Sequence, residues 1–463
     1  MGKVYIVGAG VGHPDYITVK GQAVLKQADV IIYDYLTDTR LLELARPGAE
    51  KISCAELGKQ RYAGTHSESQ LNINDVMVQH ALAGKKVVRL KNGDPVLFAR
   101  LSEEMDVLRR NEIDYEVIPG ITAASAAAAV CGIPLSDRSC SSHVAFVTGH
   151  EAENKNIIDW HSLAPLDTLV LYMAVRNIGR ITEQLIEAGK DPDTPVVVVS
   201  NIASMRQKTV RGTIRSIPAD IEREDIEPPA IFIIGEVARF EERFNWVLNS
   251  RRILFTGLSC ERCFLNGLYY HLPLISIVPL DDYSEMDDYI RNIGYFDWLV
   301  FGSRYGVIHF FQRLSRCGLD TRSLGKTRVA AVGQSTADKL GEYGVAADLV
   351  PDVESSVGLL DACATLDMNG KKVFMPRSDL SDKGLAQGFE KLGAKVTSVI
   401  AYRNIMPESL PDIDLSFFDE IFFTSPSTVR NFCTRYGQVP GHITVTCIGD
   451  VTLKEARKWN IID

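Results

Sequence analysis

The 463-residue chain has no uninterrupted apolar run near the roughly 18 residues that a membrane-spanning helix needs. Its start has no charged segment followed by an apolar core and an A-x-A site, so no secretory leader is expected. Ile6 stands where an N-myristoylation signal needs Ser or Thr. There is no excess of positive charge: the formal net charge is −9. That argues against a general nucleic-acid scaffold. Cysteine is sparse, odd in number and scattered, with nine in all. Free thiols in a reducing cytosol are the expectation, and hence a cytoplasmic location. Cys260 and Cys263 form a lone CxxC with no second pair and no histidine cluster. It reads as incidental, and no metal site is expected.

One absence is more telling. The segment VYIVGAGVGHPDYITVKG at 4–21 is an apolar run that breaks into Gly8, Gly10 and Gly12. Glycine lets a backbone turn sharply and approach a ligand closely. A nucleotide-like cofactor at the end of a strand fits this pattern, and so does a tight structural turn. The dinucleotide fingerprint GxGxxG is not complete, because His13 takes the place of its third glycine and Pro14 follows. The helical pattern starts only near Thr18, so no helix N-terminus is in place for a pyrophosphate. A cofactor without phosphate, such as S-adenosylmethionine, suits such a loop.

Short apolar segments at 30–33, 87–90, 144–148, 168–172, 196–200 and 231–234 alternate with helical stretches. This predicts an α/β architecture with largely parallel sheets. A polar joint at 249–252 divides the chain into 1–248 and 249–463, and a break near Pro119-Gly120 divides the first part into lobes of about 1–118 and 119–248. A basic cluster, Arg89, Lys91, Arg100, Arg109 and Arg110, lies in the first lobe. Arg89 and Lys91 end an apolar strand at a glycine turn, whereas Arg109 and Arg110 read as solvated helix charge.

The last part carries an internal repeat. Residues 300–307, VFGSRYGV, resemble 422–429, FFTSPSTV, and residues 330–336, AAVGQST, resemble 446–452, TCIGDVT. Each is a strand that ends in a small polar residue before a helix. Two similar lobes are implied, with helix N-termini that suit carboxylates. Taken singly, each such residue is an ordinary cap.

The segments VGAGVGHPDYITVKG, ADVIIYDYLT, Gly58-Lys59, VVRLKNGDPVLFAR, VIPGITAASAAAAVCGIPLSDR, FVTGH, LYMAV and PPAIFIIGEV occur in an order and spacing that resemble uroporphyrinogen-III C-methyltransferases of the tetrapyrrole methylase superfamily. The likeness covers nearly all of residues 1–245. Residues 251–463 are similar to uroporphyrinogen-III synthase through FTSP, VGxxTA and a Tyr-Arg after a strand. The resemblance implies a two-lobed methylase followed by a two-lobed α/β synthase with flavodoxin-like lobes, the first at 249–281 plus 402–463 and the second at 282–401. It implies cyclisation of hydroxymethylbilane to uroporphyrinogen III, then methylation at C-2 and C-7 to precorrin-2, on the branch to sirohaem and cobalamin. A methylase homodimer is also implied.

The resemblance carries roles onto particular positions. Asp34 matches a proposed base, and that reading is favoured, although the residues alone also allow a cap for the segment at Thr39. Lys59 matches a proton donor or substrate contact. Contacts to S-adenosyl-L-methionine, and to its product S-adenosyl-L-homocysteine, fall on Gly10, Val11, Asn92, Gly93, Asp94, Leu97, Thr122, Ala123, Met173, Ile202 and Ala230. On composition alone Met173 is core and Asp94 a turn residue. Lys91, Arg100 and Arg138 are the cations assigned to a substrate with eight carboxylates. In the synthase half Tyr402, expected just after a strand at 396–401, matches a tyrosine that assists loss of the substrate hydroxyl; by itself it also reads as an amphipathic residue at a lobe hinge. Ser303, Thr336, Ser425 and Thr452 are assigned to acetate and propionate groups.

Some positions depart from the family pattern, which has proline at Val11, aspartate at His13, glycine at Asn92 and Ala99, and Gly-Gly at Leu101-Ser102. Other readings weighed are a later precorrin or RNA methylase of the same superfamily, and a tetrapyrrole-binding module with an impaired methylase half. The Arg89-Leu90-Lys91 lead-in and the attached synthase favour the bifunctional enzyme over the other methylases.

Overall fold

The computed structural model describes all residues except 1, 47, 60–65, 150–157, 260–266, 382 and 463. Cys260 and Cys263 therefore lie outside the described residues. The chain folds as two compact units, Met1–Ser250 and Arg251–Asp463. Among the described residues, no helix is long and apolar enough to cross a membrane.

The first unit holds two five-stranded sheets. Strands β1 (Lys3–Gly8), β2 (Val30–Tyr33), β3 (Glu50–Ser53), β4 (Val87–Lys91) and β5 (Asp114–Ile118) are all parallel, in the order β3-β2-β4-β1-β5. Successive side chains leave on opposite faces, and both faces are covered. Val4, Ile6, Val30, Ile32 and Val87 pack with Met77 and Leu108. Val7, Ile31, Val88 and Leu90 pack with Leu25 and Leu41 on the other side. Burial on both faces is why these strands read as continuous apolar runs.

The second sheet joins β6 (Val144–Thr148), β7 (Thr168–Tyr172), β8 (Pro195–Ser200), β9 (Lys208–Thr213) and β10 (Ala230–Ile234) in the order β6-β7-β10-β8-β9. The expectation of largely parallel sheets fails here. β6 and β7 are parallel, but β7/β10, β10/β8 and β8/β9 are antiparallel. The cause is connection length. Residues 201–207 return β8 directly into β9, which leaves no room for a crossover helix. One face of this sheet packs with Ile181, Leu185 and Ile217. The other packs with the alanine-rich helix Ala123–Val130 and with Val11, which ties the two lobes together.

The second unit also holds two sheets. Its strands are β11 (Arg252–Phe255), β12 (Leu268–His271), β13 (Ser276–Val278), β14 (Trp298–Phe301), β15 (Arg328–Ala331), β16 (Lys372–Ser378), β17 (Lys395–Ile405), β18 (Glu420–Phe423) and β19 (Thr444–Cys447). The sheets run β12-β11-β18-β19 and β13-β17-β16-β14-β15. Counted along the chain within each lobe, both contain the flavodoxin-like order 2-1-3-4. The second adds β13 as an antiparallel edge. Two expected limits differ from the structure. Because Ser276, Ile277 and Val278 pair with Ile405, Asn404 and Arg403, the second-lobe sheet takes in 276–278 and runs to 405 rather than ending at 401. Tyr402 is thus inside a strand, not after one.

Gly120 sits where a Cβ would overlap the Gly93 carbonyl oxygen, whereas a Cβ at Gly179 meets no neighbour within 4 Å. Gly120→Ala is expected to destabilise the first unit by about 1–3 kcal/mol. Gly179→Ala, inside the helix Ile178–Glu187, is expected to stabilise it by about 0.5–1 kcal/mol. Urea denaturation of both variants checks the opposite signs.

Candidate functional site

Adjacent parallel strands β4, β1 and β5 end at one edge, with Gly8 in register with Lys91 and Val7 with Ile118. The loops that follow must therefore meet. Ala9 N–H donates to the Lys91 carbonyl at 2.8 Å, and Gly10 and Gly93 exchange backbone hydrogen bonds at 3.2 and 2.8 Å. A Cβ on Gly8 would lie 2.6 Å from the Gly120 Cα and 2.7 Å from the Gly93 oxygen. Three loops thus touch through bare backbone. Gly10 and Gly12 have φ of +70° and +73°, the left-handed region that glycine enters at little cost. A Cβ on Gly12 would collide with the Ile202 carbonyl, so the first loop also abuts the second lobe.

The positions assigned to the cofactor gather around this junction. Val11, Leu97, Ala123 and Ile202 belong to one apolar cluster with Tyr172. Gly93 lies beside the Ala123 amide and Val11. Asp94 turns the second loop by accepting from Val96 N–H at 3.0 Å, while its carbonyl accepts from Leu97 N–H. Thr122 precedes the helix Ala123–Val130, and its hydroxyl is 2.7 Å from that of Tyr172, which also accepts from Ala124 N–H. Met173 follows Tyr172 with φ of +53° and is exposed. Ala230 opens β10 opposite Ser200, at the end of the sheet where Met173 and Ile202 also lie.

Asp34 follows β2 at the same edge. The Arg89 guanidinium donates to its carboxylate at 2.5 Å, and Asn92 N–H donates to its other oxygen at 3.2 Å. It is not the cap of the Thr39 segment; Asp38 fills that place. Arg89 also donates to Glu104 at 3.0 Å, and Lys91 donates to the same Glu104 oxygen at 2.8 Å. Arg89 and Lys91 are 3% exposed and Glu104 is 0% exposed. Burial opposes the charge on Arg89, but Asp34 and Glu104 outweigh it and raise its pKa above the usual value. For Lys91, burial and the neighbouring Arg89 prevail and push its pKa down.

The assigned cations are therefore placed very differently. Lys91 is enclosed and committed to Glu104. Arg100 is exposed, has φ of +54°, and pairs with Glu103 at 2.6 Å. Arg138 is exposed in the turn where Asp137 bridges Ser141. Lys59 ends the helix Cys54–Lys59, and its side chain lies outside the described residues. Sequence reasoning missed Glu104. A signal was present: Arg89 and Lys91 leave one face of an otherwise apolar strand, and buried cations require a buried anion.

In the second unit, Ser303 caps the helix Arg304–Arg316, and its oxygen is 2.7 Å from the Tyr402 hydroxyl. Tyr402 is buried, which raises its pKa. Ser425 caps the helix Pro426–Tyr436 in a reciprocal capping box with Thr428. Thr336 and Thr452 are the third residues of the helices Gln334–Glu342 and Asp450–Lys458, after extended Gly333 and Gly449, and both side chains are buried. β14/β15 and β18/β19 share one register, Val300 with Ala330 and Phe422 with Thr446. The repeat read from the sequence is thus a repeat of strand-to-helix turns.

Glu104→Gln removes the charge that two enclosed cations share. It is expected to cost about 3–5 kcal/mol. A urea midpoint equal to that of the unaltered protein would show that Arg89 and Lys91 are satisfied without it.

Comparison with known proteins agrees with both halves. Residues 3–218 match the family described as Tetrapyrrole (Corrin/Porphyrin) Methylases, and residues 267–462 match that described as Uroporphyrinogen-III synthase HemD. The chain is 31% identical over 482 residues to the porphyrin biosynthesis protein HemD of Ruminiclostridium josui, a match that covers 99% of this chain and 94% of that protein. It is 43% identical over 244 residues to the S-adenosyl-L-methionine-dependent uroporphyrinogen III methyltransferase of Methanosarcina barkeri, covering 52% of this chain and 94% of that one. Among solved structures it is similar to the uroporphyrin-III C-methyl transferase of Thermus thermophilus complexed with S-adenyl homocysteine, at 34% identity and a TM-score of 0.44, covering 51% of this chain and 94% of that one. Through its first unit the chain belongs to the tetrapyrrole methylases, and through its second to the uroporphyrinogen-III synthases.

Proposed function

We propose that the chain is a bifunctional enzyme that closes hydroxymethylbilane to uroporphyrinogen III and methylates that product at C-2 and C-7, giving precorrin-2 for sirohaem and cobalamin. The observation that carries the methylase half is the bare-backbone junction of Gly8, Gly93 and Gly120 beside an apolar wall of Val11, Leu97, Ala123 and Ile202. That contact fixes the three loops, so that their outer backbone and the apolar wall border a largely uncharged adenosyl group. When bound, S-adenosylmethionine supplies an electrophilic methyl group.

The chain's own residues then have three tasks. Gly10, Gly93, Asp94, Thr122 and Ala123, with Met173 and Ala230 across the junction, fix the cofactor so that a pyrrole carbon meets the methyl in line. Arg100 and Arg138 offer exposed cations to substrate carboxylates, with Arg100 the nearer to the loops. Asp34 stabilises the cationic ring left by attack and accepts the departing proton. Its pairing with Arg89 and Asn92 holds the carboxylate in one orientation. Lys59 joins this set as a substrate contact. In the synthase half, Tyr402 assists departure of the substrate hydroxyl, while the turns at Ser303, Thr336, Ser425 and Thr452 receive the acetate and propionate groups. We further propose a cytoplasmic homodimer that pairs through the methylase unit, acts on free tetrapyrroles, uses no metal, and has no nucleic-acid or membrane partner.

Incubation of the pure protein with uroporphyrinogen III and labelled S-adenosylmethionine tests the methylase reading directly. Label in a dimethylated product is expected; an unlabelled tetrapyrrole would overturn the reading. Asp34→Asn is expected to leave cofactor affinity in calorimetry unchanged, with chelator present, and to slow turnover about a hundredfold. Arg100→Ala is expected to raise KM for the tetrapyrrole and leave cofactor binding intact. A defect confined to cofactor binding would remove Arg100 from the substrate site.

A further inference from the structure

Tyr402 lies on the wrong face of its strand by simple alternation. Val399 and Ala401 are 4% and 0% exposed and pack into the same core as Phe301, Val307 and Phe310. Residue 402 of a regular strand would point the other way. Yet Tyr402 belongs to that same core. The register explains it: Arg377 pairs with Ile400, and Ser378 then pairs with Tyr402, which leaves Ala401 as an extra, bulged residue. Bulges re-aim side chains and are common beside active sites.

The bulge is held by a short chain of hydrogen bonds. The Tyr283 hydroxyl donates to the Ala401 carbonyl at 3.0 Å, and its oxygen accepts from Leu280 N–H at 3.2 Å. His309 Nδ1 is 3.2 Å from the same oxygen. A phenol has one proton to give, and Ala401 takes it. His309 Nδ1 must therefore carry a hydrogen and donate to Tyr283. The His309 ring lies almost flat on the Tyr402 ring, with centroids 5.3 Å apart and an interplanar angle of 18°. His309 itself is carried on the helix that Ser303 starts, and Ser303 is the hydroxyl partner of Tyr402 at 2.7 Å. Finally, Ser303 follows β14 and Ser378 ends β16. These two adjacent strands flank the point where the strand order of this lobe reverses, the usual place for a ligand in such sheets.

We propose that Tyr283 and His309 are positioning residues for Tyr402 in the synthase reaction: they fix the Ala401 bulge and the plane of the Tyr402 ring, and so hold its hydroxyl at Ser303. This rests on the reading that Tyr402 acts on the departing substrate hydroxyl. The two residues are coupled through their shared hydrogen bond, and His309 also packs directly on the Tyr402 ring.

The test uses the full chain with hydroxymethylbilane and follows the formation of uroporphyrinogen III. Y283F keeps the ring and removes one hydroxyl; it is expected to lower kcat about tenfold and to leave KM within about twofold. H309L, which loses both that donor and the stacked ring, is expected to be at least as slow, and the loss in Y283F/H309L to be smaller than the product of the two single losses, because the two residues share one hydrogen bond. H309N, whose side-chain amide can replace the Nδ1 donor, is expected to recover part of the rate. Rates are normalised to folded protein by near-ultraviolet circular dichroism, and a loss that disappears on normalisation overturns the proposal. Full kcat in Y283F and H309L, with Y402F slow, overturns the positioning role and leaves the reading of Tyr402 standing. Full kcat in Y402F overturns that reading, and the positioning role falls with it.

Discussion

The methylase unit depends on one steric constraint. Three strand ends meet with no side chain between them. Gly8 faces Gly120 and Gly93 at distances that would put any Cβ within 2.7 Å of backbone atoms. Everything at that edge follows from this approach. The exchange of hydrogen bonds between Gly10 and Gly93 requires it. So does the seating of Val11 against the second lobe, because its loop can reach Ile202 only if Gly12 leaves the space open. The junction itself is closed backbone against backbone, so it fixes the loops that border the proposed cofactor site. Loops fixed in this way need little further ordering to hold a ligand.

Electrostatics complete the same edge. Asp34, Arg89, Glu104 and Lys91 form an alternating chain of charges that nets to zero within a largely dry space. Removing such charges from water is expensive, and mutual pairing offsets the penalty only when each has a partner. Here the arrangement ends at Asp34, the one member that is part exposed. The buried end is thus a fixed foundation, and the part-exposed end is the carboxylate proposed to act as the base. Lys91, assigned from the sequence to the substrate, belongs to the foundation, and Arg100 lies at the surface.

What the sequence made legible had short-range causes. The glycines of the first loop, the strand at 30–33 and the turn at Asn92-Gly93 follow from local backbone needs, and the structure has each of them. The paired strand-to-helix turns at Ser303 and Ser425 were visible because repetition amplifies a weak cap signal. The direction of β8 and β10 was not visible. Both are buried over their whole length, and an apolar run on a doubly covered sheet carries no mark of its neighbour's direction. The environment of Lys91 was equally hidden, since its partner Glu104 reads as an ordinary charged position of an amphipathic helix. Tyr402 was singled out from the sequence but misplaced as geometry. A bulge adds one residue to the pairing and leaves no compositional trace, so a strand expected to stop at 401 in fact carries the tyrosine inside it.

The two units reach a comparable end by different means. The methylase unit brings strand ends together by removing side chains. The synthase unit repeats one strand-to-helix turn, with an oxygen or a glycine at the cap, in each of two similarly ordered sheets. A helix N-terminus offers unpaired N–H groups and the positive end of the dipole, which favours carboxylates whatever scaffold carries them. In the proposed function, repetition of that turn answers a substrate whose own charge is repeated around its rings. It gives several weak anion contacts in place of one strong one. Tyr402 then differs in kind from these turns: it is enclosed, aimed by a bulge and bonded to the cap of one of them. In the proposed function, recognition in this half is distributed over repeated backbone, while the single group proposed to act on the departing hydroxyl is held by a bulged strand.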